Sequence, residues 1–94
     1  MNSYELTVIL RNKELDNLKA RLGEILQKHG VNIIRDESWG MKRLAYEIDR
    51  EREGFYFFAQ VEANPESIQK ILADFKLNVD FLRYLFVKKE AKSA

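Results

Sequence analysis

Phe55-Tyr-Phe-Phe-Ala-Gln-Val61 and, shortly after it, Asn64-Pro-Glu66 mark a strand that hands the chain directly to a helix. In the first segment Phe55, Phe57, Ala59 and Val61 share one parity while Tyr56 and Phe58 take the other, the period-2 pattern of a strand. The second segment sets Asn64 as an N-cap, Pro65 at the first helical position and Glu66 facing the positive helix end. Ile68, Ile71, Leu72 and Phe75 then form one helical stripe, which Leu77-Asn78 closes.

Working toward the amino terminus, the charged run Asp49-Arg-Glu-Arg-Glu-Gly54 reads as a connecting turn. Before it, Val31–Ile34 and Met41–Ile48 read as one long or interrupted strand, with Asp36–Gly40 as the interruption. Leu44, Tyr46 and Ile48 share the parity expected to pack on a core. Further back, Leu15, Leu18, Leu22, Ile25 and Leu26 recur at helical spacing, with Asn12 as the expected N-cap and Gly30 as the C-cap glycine. Ser3–Leu10 alternates Leu6, Val8 and Leu10 against Glu5, Thr7 and Ile9 and reads as a first strand rather than a signal peptide. Toward the carboxyl terminus, Phe81–Val87 supplies the last strand, and residues 89–94 read as a short basic tail.

The order is strand, helix, strand, strand, helix, strand. It predicts an α+β domain spanning 1–94 with the ferredoxin-like split βαβ motif: a four-stranded antiparallel sheet with two helices on one face. The uncovered face of such a sheet is ordinarily polar. Here it is expected to collect Tyr56, Phe58, Ile9 and Leu85, with Arg83 marking the outward set of the last strand and Phe81, Leu85 and Val87 opposing Leu82, Tyr84 and Phe86. A patch of that kind points to a protein partner, unless loops or the tail fold over it.

Composition narrows the chemistry. The 94 residues contain no cysteine, which excludes disulfides, thiolate metal sites and cysteine nucleophiles. The one histidine, His29, falls at a helix end, where it complements the dipole, and no ligand spacing accompanies it. No Gly-rich phosphate loop or nucleophile motif occurs, so neither a cofactor nor catalysis is expected. No run of the sequence is long and apolar enough to predict a membrane partner. Sixteen Lys and Arg against fifteen Asp and Glu give a formal charge of +1, so any nucleic-acid contact must be local.

Lys42 and Arg43 are the natural candidates for such a contact, since they stand side by side at the start of an otherwise apolar strand. Arg83, Lys88, Lys89 and Lys92 extend them into a basic strip if the fold makes them contiguous; otherwise all are solvated charges. Trp39, beside Gly40, reads as a lid on the core or a cover for a sheet edge rather than a ligand platform.

Gly40-Met-Lys-Arg-Leu-Ala-Tyr-Glu-Ile48 closely resembles the signature of the bacterial small-subunit ribosomal protein six family: a glycine, a basic pair, then Leu-Ala-Tyr and Ile. The resemblance extends through Tyr4-Glu5, Gly54-Phe-Tyr-Phe57, Gln60-Val-Glu62 and Leu82-Arg-Tyr-Leu-Phe-Val-Lys88. It implies a ferredoxin-like fold and a structural, non-catalytic role in the cytoplasmic ribosome. The implied partners are the central domain of small-subunit ribosomal RNA and small-subunit ribosomal protein eighteen, with a monomer when isolated. By position, the family's basic pair falls on Lys42 and Arg43 and its partner-facing aromatics on Tyr56 and Phe58. Asp49 departs from the basic or small residue usual at the end of the signature, so the RNA strip is not expected to continue through Asp49–Glu53. Two other readings share the topology. An RNA-recognition-motif protein would stack single-stranded bases on the third strand, and a ferredoxin-like effector-binding or dimerisation module would pair with itself.

Overall fold

A computed structural model describes residues 1–89. Its elements run β1 (Asn2–Leu10), α1 (Leu15–Lys28), β2 (Asn32–Asp36), β3 (Gly40–Ile48), β4 (Glu51–Ala63), α2 (Pro65–Lys76) and β5 (Phe81–Lys89). The sheet is antiparallel throughout, in the order β2-β4-β1-β5, with β3 also paired to β4. The expected four-strand sheet thus has five strands, because its edge strand is broken in two. The break is shorter than Asp36–Gly40: Asp36 ends β2 and Gly40, at φ +79°, opens β3. Across it the amides of Glu37 and Trp39 still donate to the carbonyls of Phe58 and Tyr56, so the two pieces follow one edge of β4.

The core lies between one sheet face and the helices. Leu6, Val8, Leu10, Phe57, Ala59, Val61 and Ala63 meet Leu18, Leu22, Ile25 and Leu26 from α1 and Ile71 and Phe75 from α2. The helix ends differ in how closely they follow expectation. α1 begins after Glu14, which adopts φ +48°, and not at Asn12, because the Glu14 carbonyl accepts the first helical bonds from Asn17 and Leu18. At the other end Gly30, at φ +70°, donates to the Gln27 carbonyl while Val31 donates to that of Leu26, a Schellman arrangement that satisfies two end carbonyls. α2 starts at Pro65 after an extended Asn64, whose side chain makes no capping bond.

Two strand readings require correction. Glu51–Gly54 belongs to β4, and the turn is only Asp49-Arg50, both at positive φ (47° and 65°). That is the two-residue hairpin geometry usually built from Asn-Gly, so charge concealed it. In β5, the pairing shifts between Ile9–Arg83 and Leu10–Phe81. The shift turns Phe81 inward, where its ring sits 5.4 Å from that of Phe75, together with Tyr84 and Phe86, instead of outward with Leu85 and Val87. Lys89 ends β5 and is not the first residue of a tail; Lys92 lies outside the described residues.

Candidate partner and nucleic-acid interface

The face without helices is built from alternate residues of four neighbouring strands. Registers Thr7–Phe58, Ile9–Tyr56, Thr7–Leu85 and Glu5–Val87 place these side chains together. Leu85 and Val87 are exposed, while Tyr56 and Phe58 are half-buried. What covers the two aromatics is Trp39. Its ring stacks on Phe58 at 5.2 Å and 13° and on Tyr56 at 5.8 Å and 21°, yet 53% of the residue remains exposed. Trp39 therefore covers the open face near the edge, not the core. The alternation of the strands gave no sign of this, because Trp39 sits in the break between β2 and β3 and reaches the face through its loop.

Ile9 lies on the same face but is covered, at 8% exposure. It sits against Gly54, where an added methyl group would fall 2.6 Å from Ile9 Cγ2 and 3.6 Å from Leu44 Cδ2. Leu44 is buried there, so it closes on the open side of the sheet instead of joining the helix-side core. Ile9 is thus a support for the surface and is not available as a contact on it. Tyr46, two residues further along, is 59% exposed, and the Arg83 guanidinium lies 5.3 Å from its ring centre.

The cations do not make one strip. Lys42 pairs with Gly54 and Arg43 with Glu53, so the pleat sends the adjacent side chains to opposite faces of the hairpin. Lys42 Nζ lies 5.7 Å from the Trp39 ring centre on the open side, near the end that also carries Arg83. Lys88 pairs with Tyr4 and Lys89 with Ser3, which in turn faces Glu62 of β4. From Gly54 to Glu62 along β4 is about 27 Å at the rise of an antiparallel strand. Lys42 and Arg83 lie toward the hairpin end on the open side, Arg43 faces the other way, and Lys88 with Lys89 stand at the opposite end of the sheet.

At the end of α1 two side chains meet a carboxylate of α2. His29 Nε2 lies 2.7 Å from Asp74 Oδ2, and Lys28 Nζ is 3.4 Å from the same oxygen. The His29 hydrogen bond is the main reason the Asp74 carboxyl titrates below its ordinary range; desolvation opposes it and Lys28 adds to it. Among the described residues no group of His, Cys, Asp and Glu could hold a metal ion, and no helix is long and apolar enough to cross a membrane.

The family model for ribosomal protein S6 matches residues 3–88, which hold both helices and all of the sheet but the first residue of β1 and the last of β5. This chain belongs to the ribosomal protein S6 family. Among solved structures, the fold is similar to the crystal structure of 30S ribosomal protein S6 from Thermotoga maritima, with a TM-score of 0.84 and 22% identity. That match covers 94% of this chain and 87% of the Thermotoga chain, and it agrees with the ferredoxin-like topology. A member of the S6 family is a structural protein of the small subunit of the cytoplasmic ribosome, not an enzyme, and its partner is small-subunit ribosomal RNA.

Proposed function

We propose that this S6 family member binds the central domain of small-subunit ribosomal RNA together with small-subunit ribosomal protein eighteen, and that it is a monomer until that partner is present. The observation that supports the reading is the uncovered sheet face: the Trp39 stack on Tyr56 and Phe58 lies beside exposed Leu85 and Val87, in a chain whose helices protect only the other side. An aromatic and aliphatic surface of this kind on a small protein is a contact surface, and burying it supplies most of the affinity. Protein eighteen takes the aromatic and aliphatic area. Lys42, Arg43 and Arg83 meet phosphate at the hairpin end, while Lys88 and Lys89 offer a separate contact at the far end. Base stacking in the manner of an RNA-recognition motif fits less well, because Trp39 already covers the Tyr56 and Phe58 rings.

Mass spectrometry of native particles separated on a sucrose gradient tests the assignment. The chain should sediment with small-subunit particles that also contain protein eighteen, and purified alone it should sediment as a monomer. Recovery only in the light fractions, or a concentration-dependent homodimer, contradicts it.

A further inference from the structure

Among the described residues Arg11, the first after β1, makes more side-chain hydrogen bonds than any other side chain. Its Nε donates to Asp80 Oδ1 at 2.9 Å, Nη1 donates to Glu51 Oε2 at 2.5 Å, and Nη2 donates to Asp49. Its side chain is only 16% exposed, and its backbone amide donates to the Asp80 carbonyl at 2.9 Å. Burial would weaken the cation, but the bonds to Asp49 and Glu51 prevail and hold it above its already high ordinary pKa. One guanidinium thereby joins the end of β1, the hairpin turn and the residue preceding β5.

The hairpin has need of such a tie. Its β3–β4 ladder runs regularly as far as Arg43–Glu53 and resumes only at Ile48–Glu51, so the segment from Leu44 to Glu47 departs from the regular pairing. The turn beyond it places Asp49 and Arg50 at positive φ, a conformation that Asp tolerates but that is costly for Arg50. The same segment carries Leu44, which is buried beside Gly54 as Ile9 is, and Tyr46, which faces Arg83. The position of one border of the open face depends on where this arm rests.

We propose that Arg11 is a positioning residue for the interface: it latches the hairpin tip so that Leu44 stays near Ile9 and Tyr46 stands beside Arg83 as a preformed wall of the docking surface. This rests on the docking face proposed above. A planar fork with five N–H donors can bridge three carboxylates at once, which a lysine ammonium cannot do in the same plane. Holding the arm before the partner arrives lowers the ordering cost of association.

Two variants test the latch without emptying the core: Arg11→Lys, which keeps the charge but not the planar fork, and Asp49→Asn, which removes the carboxylate charge that the guanidinium meets at the exposed turn. Two readouts are used, cross-relaxation between Leu44 and Ile9 and between Tyr46 and Arg83 in the free protein, and titration with small-subunit protein eighteen. In both variants those cross-peaks should vanish and binding should be about 5- to 20-fold weaker at a temperature where melts show them folded. Their double variant should bind little worse than either alone, as partners in one network do. Retained cross-peaks, restored binding in Arg11→Lys, or a lower melting temperature with unchanged affinity each overturns the proposal. Phe58→Asp is titrated in parallel. If it too binds as well as the parent, or the parent does not bind, the docking face itself is wrong, and the free-protein cross-peaks alone decide whether Arg11 holds the arm.

Discussion

At Gly54 the backbone of β4 passes so close to Ile9 that no side chain fits between them. Gly54→Ala puts a methyl group 2.6 Å from the buried, branched Ile9 and 3.6 Å from Leu44, so the hairpin must lift or Ile9 must shift. We expect a loss of about 1–3 kcal/mol, the usual cost of overpacking, read from denaturant unfolding of the two proteins. The cations make a second residue-level prediction. Replacing Lys42 and Arg43 together with Gln should leave thermal stability nearly unchanged, since both are exposed and neither makes an ion pair among the described residues. RNA binding in the presence of protein eighteen should weaken, with a salt slope shallower by about one unit for each phosphate that is no longer neutralised. Because the pleat directs the two side chains to opposite faces, single variants should differ, and an unchanged slope in the double variant would show both to be merely solvated.

Among the elements, the hairpin turn offers the clearest gain. Arg50 holds φ +65°, where glycine is free of the Cβ clash, and its own side chain takes no part in the Arg11 network. Arg50→Gly should stabilise the protein by about 0.5–1 kcal/mol, measured by chemical denaturation. The helices supply a pH dependence. His29, at the end of α1, holds Asp74 of α2 below its ordinary carboxylate value, so the pair contributes stability that is fully present above the unfolded carboxyl pKa. That contribution is lost as pH falls through the depressed folded value. Melting curves recorded from about pH 4 downward should therefore fall less steeply for Asp74→Asn than for the parent. Both helices and the parity of β1 and β4 were legible in the sequence, because a single packed face imposes its period on the residues that form it. The Asp49-Arg50 turn was not, since it borrows a glycine conformation without a glycine. Phe81 was misread because a register shift in β5 reverses the facing of residues beyond it, which alternation alone does not reveal.

Across the whole molecule, helices cover one side of the sheet and leave the other to Trp39, Leu85 and Val87. The parity of Tyr56 and Phe58 pointed correctly to an aromatic open face, whereas two of its features arise from distant parts of the chain. Trp39 reaches the face from the break in the edge strand, and Leu44 is buried beside Gly54, near Ile9, on a hairpin whose tip bonds to Arg11. Neither relation has a local pattern. The proposed function requires that this face, and not the helix side, receive small-subunit protein eighteen. Leu85 is its most direct probe, because it is 57% exposed and its replacement disturbs no core packing. Titration calorimetry of Leu85→Asp against protein eighteen, with thermal melts of the same samples, should show affinity lower by about 1–2 kcal/mol, the loss expected when a charge replaces an apolar interface contact, at an almost unchanged melting temperature. Parental affinity in a folded Leu85→Asp protein would contradict the account.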